Sequence, residues 1–358
     1  MGAFDPINRI WNIPLGKWFH NAGAEYDTVI SSRVRLSRNL GGYCFPWKML
    51  ENEKKEVEEK VLRALSGFKN NNSYQAILLK ELNQTERKIL LERNMISSDY
   101  STRPEKFIII DRTGNTCGVV NEVDHLRIAG FRGGMDILGA YEDVDRLDSE
   151  LEQELDYAVS LEWGYLNAEV VNTGTGMKAS VMLHLPSLVS TSLIGKVFNE
   201  VNRVGYSVKG FWGSKEHSLG NIYQISNSAG MGVSEKEIIE KLENITLQVV
   251  NYERKAREEM LRQRRVEVED RVFRAYGILT NCRSISSSEA IELIGALRAG
   301  VALGILDLPL ELITSLLILT QKAHIQYLLE SREAGVETGD IDFVRAKMIR
   351  ESIGSLSV

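Results

Sequence analysis

Arg33 and Arg35, two residues apart in the stretch S-S-R-V-R-L-S-R-N-L at 31–40, have a spacing that can do chemistry. In an extended chain successive side chains alternate faces, so both guanidinium groups leave one face while Val34 and Leu36 turn to a core. Planar, permanently charged forks on one face suit a polyphosphate. On spacing alone the pattern equally describes a strand with exposed arginines. Three further segments carry comparable groups. Residues 121–128, N-E-V-D-H-L-R-I, read as part of a strand in which Asn121, Val123, His125 and Arg127 share a face. The glycine turn N-T-G-T-G at 172–176 feeds a strand with Lys178 just after the turn. The segment 209–227 is a polar, glycine-containing loop followed by an apolar recovery. His125 and His184 read as hydrogen-bonded strand histidines, and no cluster with metal-ligand spacing is visible.

The elements that must position these groups alternate. Residues 51–66 and 81–93 have helical spacing, whereas 75–79, 106–110, 118–128 and 179–185 have strand composition. These runs predict a mixed α/β sheet domain. Trp11, Trp18 and Phe19 mark an N-terminal arm packing on the main body. Ser234 and Glu237 form a capping box that opens a long charged helix, and Ser286 with Glu289 forms a second. The chain from there on reads as all-helical, which divides it into 1–255 and a C-terminal domain, 256–358. The apolar faces of 289–305 and 309–329 exceed what one short helical layer can bury, so a homodimer is expected.

Composition narrows the function classes. A formal net charge of -6 and a pI near 5.6 disfavour a general binder of nucleic acid, which needs surplus Lys and Arg. Cys44, Cys117 and Cys282 lie far apart, so neither a disulfide framework nor a zinc knuckle is suggested. With no basic-then-apolar leader and no apolar run of bilayer length, a cytoplasmic protein without membrane contact is expected.

Taken together, the four segments resemble the ATP:guanido phosphotransferases. That family's hallmarks are an S-S-R-x-R phosphate clamp, an N-E-E-D-H-x-R strand, a C-P-T-N-x-G-T-G turn followed by R-A-S, and an R-G-x-Y-G-E loop. The clamp arrives by residue 31 and the helical domain is C-terminal, an organisation similar to that of the bacterial protein-arginine kinases. V-E-V-E-D-R-V-F-R-A-Y-G at 266–277 also resembles their C-terminal domain. The resemblance implies that the α/β sheet is mostly antiparallel and flanked by helices. It implies too that ATP, brought with Mg²⁺, is held by Ser31, Ser32, Arg33, Arg35 and Arg127, with contacts at Asn94, Lys178 and Lys209. Several matched positions depart from the family pattern. The second Glu of N-E-E-D-H, which orients the guanidinium and can take its proton, is Val123; the Glu of the loop is Ser214; the turn cysteine is Glu169. Asn94 replaces a His, and Lys178 and Lys209 replace arginines, keeping charge but losing the bidentate fork.

Two readings follow. The one adopted is a pseudokinase, a protein-arginine-kinase scaffold that binds weakly held nucleotide and protein partners in a quality-control pathway without efficient transfer. The alternative is an active protein-arginine kinase with relocated carboxylates, Glu122 or Glu169, in the catalytic role. The resemblance implies as partners a Clp-type chaperone ATPase, a heat-shock repressor and a zinc-containing activator. It also implies a phosphoarginine pocket from R-D-x-x-R-A, here I-D-F-V-R-A, in which Asp342 and Arg345 match and Ile341 replaces the first arginine. A plain helix with scattered charges explains that segment equally well.

Overall fold

Runs of β-branched and large apolar residues make the core of an eight-stranded sheet. The computed structural model describes Trp18 and residues 22–68, 73–212, 218–330 and 340–354. The strands are β1 (Val29–Arg38), β2 (Tyr74–Leu78), β3 (Phe107–Asp111), β4 (Thr116–Val120), β5 (Leu126–Gly133), β8 (Met177–His184), β9 (Tyr206–Gly210) and β10 (Ile222–Asn227). Their spatial order is β2-β3-β4-β5-β1-β8-β10-β9, with every neighbouring pair antiparallel. A small hairpin, β6 (Val159–Ser160) with β7 (Gly164–Tyr165), stands apart from this sheet.

The central strands β1, β5 and β8 turn one face to the main core. Val34 and Leu36 of β1, Ile128 of β5, and Ala179 and Val181 of β8 join a core with helices α1 (Glu51–Ser66), α4 (Ile137–Glu152), α6 (Ile194–Arg203) and the first half of α7 (Glu235–Asn281). Packing is close enough that a Cβ on Gly130 of β5 would sit 2.7 Å from the Ala140 carbonyl oxygen of α4. On the other face, Ile108, Ile110, Cys117, Ala129 and Phe131 meet Leu90 of α2 (Gln84–Glu92) and Trp18. The aromatic anchor expected at Trp18 is buried and stacks on Phe131 at 5.7 Å between ring centroids. Trp11 and Phe19 lie outside the described residues. Two short helices, α3 (Ser98–Ser101) and α5 (Pro186–Ser190), complete the sheet region, and the long α7 starts at the Ser234–Glu237 capping box, formed as expected.

The expected strand over 118–128 is two strands. Asn121 adopts φ 54°, a left-handed conformation that stops β4, and its side-chain amide donates to the Lys54 carbonyl at 2.9 Å. Residues 121–125 are a bend, so Asn121, Val123, His125 and Arg127 do not share a strand face. The alternation of polar and apolar types across N-E-V-D-H mimics a strand, but local hydrogen bonding decides otherwise.

The expected boundary at 255/256 falls inside α7, which runs on to Asn281 and departs from helical geometry at Arg264 (φ -135°, ψ 34°). Beyond it lie α8 (Ser287–Ala302), α9 (Leu310–Leu319), α10 (Lys322–Glu330) and α11 (Ile341–Gly354). Their apolar faces are occupied within the chain: Ile291, Ile294, Leu297, Leu316, Ile325 and Ile349 share a core with Ile30, Met182 and Ile222 of the sheet. The surplus apolar surface expected at 289–305 and 309–329 is therefore not free.

A buried polar junction fastens the helical region to the start of β1. Arg257 donates to the Asp27 carboxylate at 2.6 Å, and fully buried Arg298 donates to the Asp27 carbonyl and to Thr314 Oγ1, each at 3.1 Å. His184 Nδ1 lies 3.0 Å from the same guanidinium. Glu253 accepts from the backbone N–H of Ser187 and Leu188 at 3.0 and 2.9 Å, which caps α5.

Candidate active site

Antiparallel register assembles the cations. Arg35 lies opposite Lys178 on β8 and Ala129 on β5, and Arg33 lies opposite Ser180 and Phe131. Arg127, two residues from Ala129, emerges on the same face of β5. Lys209 pairs with Gln224, whose partner on β8 is Met182. Arg33, Arg35, Arg127, Lys178 and Lys209 thus form one cationic face spread over four strands. Lys178 is aimed by the turn before it: Gly174 (φ 109°) and Gly176 (φ 65°) take conformations that favour glycine, and a Cβ on Gly176 would meet the Ser37 carbonyl oxygen at 2.5 Å.

The face carries more positive charge than it neutralises. Burial and then the charges of Arg35 and Arg127 push Arg33 well below its usual range. Burial and Arg127 lower Arg35 to about 10, and burial with Arg35 lowers Lys178 and Lys209. Burial is the larger cause at each group, and the like charges beside it add to the cost of holding these cations without an anion. Arg33 Nε is buried with no acceptor among the described residues, while its Nη2 donates to the Asn94 carbonyl at 3.0 Å and the guanidinium lies 4.9 Å from the Phe131 centroid. Space beside it, bounded by Trp18, Asn94 and Phe131, amounts to about 20 Å³, room for a water and not for a phosphate. Arg35, Arg127 and Lys178 are half-buried and do not line that space.

The remaining site residues divide. Ser31 shares the Arg33 face and borders that small space. Ser32 points to the opposite face, where its hydroxyl donates to the Gly134 carbonyl at 2.9 Å and accepts from the Asp136 N–H at 3.0 Å. It braces the start of α4 and does not face the cations. Asn94 meets Arg33 through its carbonyl, in a left-handed conformation (φ 59°). Glu122 is ion-paired with Arg127 and its side chain is 7% exposed. Val123, in the place of the family's carboxylate, points to solvent and is 43% exposed. Glu169 is exposed at the edge of the face, hydrogen-bonded to the Asn172 amide at 2.9 Å, and close enough to raise the pKa of both Arg35 and Lys178. Ser214 lies outside the described residues.

His125 is a bracket of the bend: its Nδ1 accepts from the Leu40 N–H at 2.9 Å and its Nε2 lies 2.8 Å from the Cys44 carbonyl. Asp342 and Arg345 are brought together, but on each other. Arg345, 2% exposed, pairs with Asp342 and donates to the carbonyls of Thr320 and Ile285, each at 2.7 Å. Its donors tie α11 to the carbonyls of neighbouring turns.

Sequence reasoning did not find the wall around Arg33. Arg93 lies beside it and meets His324 of α10 at 3.3 Å, while Glu92 accepts from the Ala323 N–H at 2.8 Å and lies 2.8 Å from His324 Nδ1. Nothing in the local pattern links residues more than two hundred positions apart.

Residues 56–256 match the ATP:guanido phosphotransferase C-terminal catalytic domain, and residues 265–358 match the protein-arginine kinase McsB C-terminal domain. The protein-arginine kinase of Halothermothrix orenii is 38% identical over 352 residues, covering 98% of this chain and 99% of that one. That of Moorella thermoacetica is 39% identical over 340 residues, covering 94% and 96%. Among solved structures, lombricine kinase superposes with a TM-score of 0.57 at 22% identity, covering 67% of this chain and 69% of its own. The taurocyamine kinase of Schistosoma mansoni does so with a TM-score of 0.58 at 21% identity, covering 67% and 36%. With motif order, sheet and C-terminal helices all in agreement, this chain belongs to the ATP:guanido phosphotransferase family, in its protein-arginine kinase branch.

Proposed function

We propose that this chain is a pseudokinase, a protein-arginine kinase relative that binds nucleotide weakly, engages protein partners and does not transfer phosphate efficiently. The observation that carries this reading is Val123. A carboxylate at that position would hold the substrate guanidinium and accept its proton; an exposed isopropyl group does neither. Loss of a positioned base costs roughly 10²–10⁴ in rate. Glu122 is a poor substitute, since its carboxylate is buried against Arg127 and moving it would leave that cation unpaired.

The cationic face fits the triphosphate of Mg-ATP through Arg35, Arg127 and Lys178, with Lys209 at its margin. Bound ATP would supply the phosphoryl group. The residues themselves would bind and orient it, and two lysines in place of forks loosen that geometry. Mg²⁺ would arrive with the nucleotide.

A second reading rests on Glu169, an anion beside Arg35 and Lys178, which would make the chain an active, rewired protein-arginine kinase. Incubation with Mg-ATP and an arginine-rich unfolded protein, followed by mass spectrometry under non-acidic conditions, separates the two. The pseudokinase reading expects no phosphoarginine above background; robust product that vanishes in Glu169→Gln or Glu122→Gln overturns it. Partners of the same reading are a Clp-type chaperone ATPase and a zinc-containing activator in protein quality control. A homodimer belongs to it as well, now through α7, where Val266 and Phe273 are exposed one heptad apart. Light scattering at micromolar concentration should give twice the chain mass, and a strictly monomeric mass removes the dimer from the proposal.

A further inference from the structure

Around the mouth of the cationic face, aliphatic side chains stand in the open. Val123 is 43% exposed, Val170 75%, Val171 55% and Met231 39%. Single exposed apolar residues are ordinary, but these four are tied into one rim. Asp124, next to Val123, accepts from the Ala168 N–H at 2.8 Å, two residues before Val170. The Val171 carbonyl accepts from Gly230 N–H at 3.2 Å, which sets Met231 beside it. Glu169, between Ala168 and Val170, acts on Arg35 and Lys178, so the rim borders the cations directly.

Charge and shape together define an occupant. Among the described residues the carboxylates that act on Arg33, Arg35, Arg127, Lys178 and Lys209 are Glu122 and Glu169, so five cations outnumber two anions and the cleft disfavours an unmodified arginine and attracts an anion. A dianion with three acceptor oxygens uses a guanidinium fork better than a single carboxylate does. A free nucleotide would leave the aliphatic rim wet, whereas a peptide covers it with its own side chains. We propose that this cleft is a docking site for an extended segment of a partner protein that carries a phosphorylated side chain between aliphatic residues. The phosphoryl group rests on Arg35 and Lys178, and the flanking side chains rest on Val123, Val170 and Val171. This rests on the reading of the face as one that binds without transferring.

The test uses the full chain and fluorescent nine-residue peptides that differ only at a central residue, phosphoserine, serine or arginine, between valines and leucines. Fluorescence anisotropy without nucleotide should show the phosphoserine peptide binding roughly tenfold tighter than the serine peptide, and the arginine peptide weakest. Mg-ATP and inorganic phosphate serve as competitors. Mg-ATP should displace the peptide, and free phosphate should do so only at far higher concentration, because it leaves the rim uncovered. Val170→Asp and Val171→Asp, both at exposed positions, should weaken binding with an unchanged melting temperature, and Lys178→Ala should weaken it too. Equal binding of all three peptides, preference for arginine, or full affinity in both aspartate variants overturns the proposal. Phosphoarginine formation is read separately on the same preparation: transfer together with peptide binding overturns only the pseudokinase reading, whereas peptide failure without transfer overturns only the docking site.

Discussion

Val123 and Arg345 show how far one side chain can move a functional reading. At Val123 the departure from the family pattern is chemical, since an exposed aliphatic group stands where that pattern has a carboxylate. Val123→Glu alone should restore little phosphotransfer, because the loop carboxylate and two forks are still missing and such groups act as a unit. Val123→Glu with Ser214→Glu, Lys178→Arg and Lys209→Arg should yield phosphoarginine measurable by mass spectrometry; continued silence of that fourfold variant, with its fold intact, would show that the scaffold has lost more than these groups. At Arg345 the limit is geometric. Its guanidinium is engaged by Asp342 and two carbonyls. Arg345→Ala should therefore lower stability by about 1–3 kcal/mol in denaturant titrations, because it leaves two carbonyls of buried residues without this donor. A phosphoarginine-binding loss with unchanged stability would instead place ligand at that residue.

The elements are held by their ends. β1 enters the sheet directly after Asp27, and Asp27 is gripped by Arg254 and Arg257 of α7, so the clamp strand and the long helix move as a unit. Burial would raise the pKa of Asp27, but the hydrogen bond from Arg254 and the charge of Arg257 outweigh it and leave the group below its ordinary 3.8. A carboxylate depressed on folding contributes stability that is fully present above its unfolded value and lost as pH falls through the folded one. Asp27→Asn should cost about 2 kcal/mol at pH 7. The gap in Tm between the variant and the unaltered protein should close below pH 3.8, the ordinary value. A gap that is constant with pH would mean that Asp27 contributes packing and no charge. The bend between β4 and β5 is held the same way: Asn121 reaches back to α1 and Asp124 takes the Asn39 amide at 2.7 Å, which aims Glu122 at Arg127.

Across the whole molecule, a nucleotide on the cationic face would link β5, β1 and β8, and so report on all of them at once. Mg-ATP should raise Tm, since a ligand of the folded state alone stabilises by mass action. The rise should shrink with added salt, because partly exposed cations are screened. Arg35→Ala should lower affinity more than Arg33→Ala, as Arg33 is walled in by Trp18, Asn94 and Phe131. Calorimetry that ranks the two variants the other way would place the phosphates against Arg33 and require that wall to open.

Much of this protein is legible in the chain itself. Period-two alternation gave Arg33 and Arg35 a common face, and the capping pair at Ser234 and Glu237 marked the start of α7, because both depend on neighbours a few residues away. The aromatic anchor at Trp18 was equally readable, while the antiparallel arrangement of the sheet came with the family resemblance. The motif positions occupied by Val123, Glu169, Lys178 and Lys209 were also readable, as was the family they depart from. Local sequence could not decide what distant segments do to those groups. The N-E-V-D-H run alternates like a strand and is a bend, since Asn121 finds its partner on α1. Ser32 sits within the clamp motif and faces away from it, because the register of β1 turns its hydroxyl to Gly134 and Asp136. The apolar faces of the C-terminal helices look surplus until Ile30, Met182 and Ile222 of the inner strands β1, β8 and β10 are seen to share a core with them. Side-chain periodicity is a property of the segment, whereas burial and charge compensation are properties of whatever the fold sets against it.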